Sequence, residues 1–219
     1  VTDPVQVDVS SDQIGAQSVR HECFRVRAAD KLDALRRLVR SEARTGAIVF
    51  ANTRAATFLV NEALQREGVM SDVLNGELTQ AEREEALDRM KRDEVQFLVA
   101  TDVAARGIDI SGLPAVVNYD MPESPDVYIH RTGRTGRAGQ AGVAYSLVAP
   151  SDVTVFHALG KFYKLELHTR DLPAEQVIRA GMADHLLSDH LSALDASGTL
   201  EYGPWISIAR RLQGRTCAR

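Results

Sequence analysis

Cysteine is scarce in this sequence: Cys23 and Cys217 are the two in 219 residues. They lie far apart, with no second metal-type ligand nearby, and so make neither a disulfide framework nor a zinc site. The 6 histidines show no metal-ligand spacing either. A reducing, cytoplasmic setting is the expectation. No apolar run approaches the roughly 20 residues of a membrane span, and the first residues lack the basic and apolar segments of a secretory signal. No GxxxxGK[ST] phosphate loop and no acidic motif for magnesium is present, and no internal repeat is visible. The net charge of −4 lacks the overall basicity common in nucleic-acid-binding domains. That total hides local clusters, since the last residues, "ISIARRLQGRTCAR", hold arginines and no acid.

What is present is the balance of a globular domain, 44% apolar and 26% charged. Its length suits one domain plus an extension. Short β-rich runs alternate with helical ones. Strands are expected at 19–26, 47–51, 71–76, 96–101, 115–120 and 142–149. The run "AIVFA" is continuous and apolar, as a strand buried on both faces requires. Helices are expected at 31–44, where Leu32, Leu35, Leu38 and Val39 recur at helical spacing, and at 56–68, stopped by Gly68. A third at 79–91 opens on a capping box of Thr79 and Glu82. A fourth begins near Ser124, and a fifth follows Ser151 as its cap. Such alternation builds βαβ units and hence a parallel sheet covered on both faces, whose ligands sit beyond the C-terminal strand ends.

Two stretches carry the chemistry. In "ATDVAARGIDI" (100–110), Thr101 and Gly107 can offer a hydroxyl and backbone N–H groups to a phosphate. Arg106 can pair with phosphate at two points, and Asp109 can accept from ribose hydroxyls. The bland alternative is an ordinary turn with a surface Arg–Asp pair. In "YIHRTGRTGRAG" (128–139), Arg131, Arg134 and Arg137 recur every three residues with glycines between. The varied apolar flanks exclude an Arg-Gly low-complexity tail. Three cations on one sheet edge would converge on a polyanion, the layout an arginine finger needs. Without a phosphate loop, the residues alone describe half of a nucleotide site.

The segments "AIVFANTR", "LNGELTQAEREEALDRMK", "LVATDVAARGIDI" and "YIHRTGRTGRAG", in this order and spacing, resemble the second RecA-like lobe of DEAD-box ATP-dependent RNA helicases over roughly residues 20–170. The resemblance implies a three-layer RecA-like α/β fold, a parallel sheet flanked by helices, with a C-terminal helical extension. It implies ATP and Mg²⁺ as cofactors, bound mainly by an N-terminal lobe. RNA and that lobe are the implied partners, and a monomer is expected for the fragment. Arg134 and Arg137 match the arginines that reach the γ-phosphate. Gly107, Asp109 and Arg131 match further positions of the ATP site, Arg131 being the one more often linked to interdomain contacts. His130 matches a residue that couples the lobes. Thr53, Arg54, Gly76, Gln80, Arg83, Thr101 and Arg106 match positions along the RNA backbone. No metal ligand is implied in this chain.

The family's usual His-Gly-Asp is here Asn75-Gly76-Glu77, which keeps the turn and changes the acid. Local alternatives stand beside three of these roles: Thr53 as a helix N-cap, Gln80 as an ordinary first-turn residue, and Arg83 in helix-surface ion pairs with neighbouring glutamates. Residues 1–18, polar and turn-rich without an initiating Met, are expected to be an interdomain linker. Residues 19–170 would form the lobe and 171–219 a helical extension with a basic tail. That extension carries an apolar stripe (Met182, Leu186, Leu187, Leu191, Leu194) expected to pack on the lobe. The function expected is ATP-dependent RNA helicase activity in a longer protein, with the fragment alone inactive. The rival is a stand-alone, non-catalytic nucleic-acid- or protein-binding module.

Overall fold

The computed structural model describes residues 19–41, 46–106, 108, 110–136, 141–175 and 178. The expected linker at 1–18, the apolar stripe, the basic tail, Gly107, Asp109 and Arg137 lie outside the described residues. The chain divides into two compact units, Val1–Glu175 and Gln176–Arg219, and the first carries the fold.

The strands are β1 (Val19–Arg25), β2 (Ala47–Phe50), β3 (Ser71–Leu74), β4 (Phe97–Ala100), β5 (Ala115–Asn118), β6 (Gly142–Val148) and β7 (Leu167–Thr169). They form one 7-stranded sheet in the order β3-β4-β2-β5-β6-β1-β7, with every pairing parallel. The helices are α1 (Lys31–Ser41), α2 (Arg54–Arg66), α3 (Gln80–Lys91), α4 (Asp102–Ala105), α5 (Pro125–Thr132) and α6 (Val153–Phe162).

Alternation along each strand sorts the core into layers. Ala47 and Val49, Phe97 and Val99, and Ala115 and Val117 face α1 and α2. Ile48 and Phe50, Leu98 and Ala100, and Val116 face α3 and α4. Leu35 and Leu38 of α1 are fully buried, each such side chain contributing about 1.5–3 kcal/mol. A smaller cluster of Cys23, Met121, Tyr128, Val148 and Leu159 holds α5 and α6 against β1 and β6. This is the three-layer α/β architecture that the alternation implied.

The punctuation follows local chemistry. Thr53 caps α2, its side chain accepting from Ala56 N at 3.1 Å. Gly68, at φ 78°, stops it. Thr79 and Glu82 close the capping box on α3. Ser151 does not cap α6 as expected. Pro150–Asp152 forms a 3-10 turn in which Asp152 accepts from Ala149 N at 2.9 Å, and the Ser151 hydroxyl donates to Asp152 instead. β7 was not anticipated. It is three residues long, at the sheet edge, and has no apolar run to announce it.

Candidate functional site

Parallel strands deliver their following loops to one edge of the sheet, and the expected site residues gather there. Thr53 and Arg54 follow β2, Gly76 follows β3, and Thr101 and Arg106 follow β4. These strands are neighbours in the sheet, which is why segments far apart in sequence meet. α5 stands over the same edge. It opens on Ser124, whose side chain accepts from Val127 N at 3.4 Å, with Pro125 in its first turn.

Arg131 lies at the centre, 1% exposed. Its Nε and Nη2 donate to the two carboxylate oxygens of Asp102, each at 2.7 Å. Nη1 donates to the Asp120 carbonyl at 2.5 Å and to Asn118 Oδ1 at 3.3 Å. Nη2 also donates to Asn52 Oδ1 at 2.8 Å, and the guanidinium stands 5.0 Å over the Phe50 ring. A guanidinium has five N–H donors, so these bonds use its full capacity. Arg131 therefore forms the floor of the site, tying α5 to the ends of β2, β4 and β5. As it stands, it offers a nucleotide no further donor.

Above that floor is a cleft of about 270 Å³ lined by Phe50, Asp102, Ala105, Arg106, Val127, His130, Arg131 and Arg134. His130 and Arg106 are exposed there. Among the described residues the lining contains a single acid, Asp102, already paired at both oxygens with Arg131. The remaining charge is cationic and suits an anion. Arg134 donates from Nη1 to the Ile108 carbonyl at 2.8 Å and from Nη2 to the Ala105 carbonyl at 3.1 Å. It thus clasps the loop that also bears Arg106. No cluster of three His, Cys, Asp or Glu suited to a metal ion occurs among the described residues.

The β2–β3 side of the edge is more open. Arg54 and Glu77, both exposed, pair at 3.4 Å. Gln80 donates to Glu84 at 2.7 Å on the exposed face of α3. Arg83 does not form the glutamate pairs considered from sequence. Its Nη2 donates to the Ala104 carbonyl at 2.7 Å, joining α3 to α4. Thr101 is largely buried at the start of α4, its side chain making no capping bond. A Cβ added to Gly76 would meet nothing within 4 Å, so no protein contact demands glycine there. Asn75 is fully buried, its amide donating to Thr57 Oγ1 at 3.2 Å while its oxygen accepts from Glu77 N at 2.9 Å. That side chain makes the turn.

Sequence reasoning passed over Asn52, Asn118 and Asp120. Asp120 accepts from Lys31 Nζ at 3.0 Å and from Asn52 N at 3.1 Å, bracing the same edge. Their signal was present in "VFAN" and "VVNYD": a polar residue directly ending a continuous apolar strand.

Residues 30–139 match the family model described as "Helicase conserved C-terminal domain". The ATP-dependent RNA helicase DeaD of Haemophilus influenzae is 38% identical over 179 residues, covering 82% of this chain and 29% of that protein. The DEAD-box ATP-dependent RNA helicase CshA of Bacillus subtilis is 37% identical over 167 residues, 76% of this chain and 34% of that one. The chain thus spans about a third of the length of the curated relatives it matches. Among solved structures, the E. coli DEAD-box protein SrmB bound to regulator of ribonuclease activity A superposes with a TM-score of 0.66. It is 37% identical over 69% of this chain and 90% of that one. S. cerevisiae Dbp5 bound to RNA and ADP BeF3 gives a TM-score of 0.69 at 28% identity, over 80% of this chain and 47% of that one.

Proposed function

Because this chain belongs to the helicase conserved C-terminal domain family, as the second RecA-like lobe of a DEAD-box RNA helicase, we propose that it completes an ATP site and an RNA-backbone track opened by an N-terminal lobe of the same protein. The observation that carries this reading is the cationic cleft over a saturated Arg131 floor. Arg131, needing nothing more, holds α5 still. Arg134 and Arg106 then face an anion from a fixed frame, and Arg137 follows three residues further along the sequence.

Arg134 now donates to neutral carbonyls. A phosphate offers the guanidinium an opposite charge and two-point geometry that a neutral carbonyl lacks, so phosphate oxygens would draw Arg134 off the loop after α4. Asp109, on that loop, would receive the ribose hydroxyls. ATP, when bound with its magnesium ion, supplies the transferable phosphoryl group. The lining fits its phosphates and leaves the metal to the other lobe. His130, exposed at the rim, couples the lobes. The RNA track runs from Thr53 and Arg54 past Gly76, Gln80 and Arg83 to Thr101 and Arg106. It reads phosphate and sugar and so is independent of base sequence. The open space at Gly76 supports close approach of a strand. The fragment alone hydrolyses no ATP and is a monomer, and the protein works in a reducing, cytoplasmic setting.

The test is Arg137→Ala in the two-lobe protein, followed by steady-state ATPase with saturating RNA. Loss of about 10³-fold or more in rate is expected, as for arginine fingers generally. A rate near wild type sinks the assignment.

A further inference from the structure

Behind Arg131 runs a buried polar chain that the helicase reading does not use. Arg131 Nη1 donates to Asn118 Oδ1 at 3.3 Å. Asn118 Nδ2 donates to Ser146 Oγ at 3.1 Å. The Ser146 hydroxyl donates to the Tyr128 hydroxyl oxygen at 3.4 Å, and that hydroxyl lies 3.0 Å from His21 Nδ1. With the first three donors pointing one way, the Tyr128 proton is left for His21. The chain crosses from β5 through β6 and α5 to β1.

These positions would ordinarily be apolar. Asn118, Ser146 and Tyr128 are 0% exposed, and His21 and Arg131 are nearly so. Asn118 and Ser146 are register partners on adjacent central strands, where a buried parallel strand normally carries Val, Ile or Leu. Buried polar groups cost free energy unless bonded. A satisfied network adds rigidity and a unique packing more than it adds stability. Tyr128 and Arg131 are three residues apart and so share one face of α5. Sliding or rotating α5 on the sheet would break both ends of the chain at once.

We propose that Asn118, Ser146 and Tyr128 are positioning residues that hold Arg131, and with it the His130–Arg134 end of α5, in register under the anion-binding cleft. Their role in turnover rests on the helicase reading; their hold on Arg131 does not.

The first experiment therefore uses the 219-residue chain without nucleotide. It measures solvent exchange of the Arg131 Nε–H by ¹⁵N NMR in Tyr128→Phe, Ser146→Ala and Cys23→Ala. Tyr128→Phe keeps the ring and removes the hydroxyl. Cys23, the β1 register partner of Ser146, is buried beside the chain and outside it, so Cys23→Ala removes volume without removing a link. The expected result is exchange faster by roughly five- to ten-fold in the first two variants, the scale of one buried hydrogen bond, and unchanged exchange in the third. Unchanged exchange in Tyr128→Phe and Ser146→Ala overturns the proposal. So does an equal increase in all three, which would mean general loosening. Should Ser146→Ala fail to fold, Tyr128→Phe decides alone. In the two-lobe protein, the same Tyr128→Phe is expected to lower kcat several-fold with KM for ATP unchanged. A wild-type ATPase in Arg137→Ala would remove the arginine-finger assignment and leave the exchange result standing.

Discussion

The two halves of the sheet edge are built on opposite principles. On the α5 side, Arg131 is buried with every donor bonded, and the polar groups behind it are bonded in series. On the β2–β3 side, Arg54, Glu77, Gln80 and Glu84 lie at the surface and pair with one another across solvent. Exposed pairs of this kind are worth about 0–1 kcal/mol, so an incoming anion can displace them at little expense. A buried, bidentate arginine cannot be displaced without leaving Asp102 unpaired. One half is frame and the other, on the function proposed above, is contact surface. A residue's motif membership does not say which half it belongs to.

Removing the frame should have the largest effect. Arg131→Ala leaves the Asp102 carboxylate and the Asn118 oxygen without their main donor. Breaking a buried ion pair by deleting one partner costs about 3–5 kcal/mol. Urea denaturation should show that loss, whereas Arg54→Ala should stay within about 0.5 kcal/mol of wild type. Comparable losses from the two variants would abolish the distinction between the halves.

High pH should also act on the frame first. Burial, and then the Glu22 charge, pushes the Cys23 thiol up to about 12, and burial likewise raises the neighbouring Tyr128 hydroxyl. Both are acids that the fold holds neutral. Their contribution is whole below the unfolded thiol value near 9 and is lost as pH rises toward 12, because the unfolded chain ionises first. Urea midpoints measured across that range should fall, and should fall less in Cys23→Ala. Identical slopes in the two proteins would show that other groups govern alkaline unfolding.

Glycines give a sharper contrast at smaller amplitude. A Cβ on Gly142 would collide with Thr135 Oγ1 and lie 2.9 Å from Gly136 Cα. Gly142→Ala should therefore cost about 1–3 kcal/mol, the usual range for overpacking. Gly76→Ala meets open space and should fold normally while weakening RNA binding in the two-lobe protein. If Gly76→Ala binds RNA as wild type does, no strand passes close to that turn.

The contact half was the more legible from sequence. Thr53, the capping box and the stop at Gly68 depend on residues within four positions of one another, so spacing alone reveals them. Strands β2, β4 and β5 announced themselves as continuous apolar runs because both of their faces are covered. The frame is different in kind. Arg131 meets partners 11, 13, 29 and 79 residues away, and only the strand order brings them together. The sequence reading therefore grouped Arg131 with Arg134, since a repeat of arginines carries no sign of which one is buried. Arg83 misled for the same reason. Its glutamate neighbours were visible, but the Ala104 carbonyl it binds belongs to another element.

The smallest effect lies at the start of α3, which carries Gln80 and Arg83 toward the proposed RNA track. Thr79 Oγ1 accepts from Glu82 N at 3.3 Å, and Glu82 accepts from Thr79 N at 2.7 Å. Thr79→Ala should cost about 1 kcal/mol, the typical value of an N-cap. The backbone N–H of Thr79, and next its hydroxyl, hold the Glu82 carboxyl below its ordinary value. A depressed carboxyl contributes stability above its unfolded value, near 4.5, and that contribution disappears as pH falls through the folded value. The hydroxyl half of the bond is what Thr79→Ala removes. The difference between variant and wild type should therefore narrow as the pH drops below about 4, measured as the gap between their urea midpoints. A gap that stays constant with pH would mean that Thr79 stabilises α3 through its own backbone-directed cap alone, with the Glu82 charge taking no part.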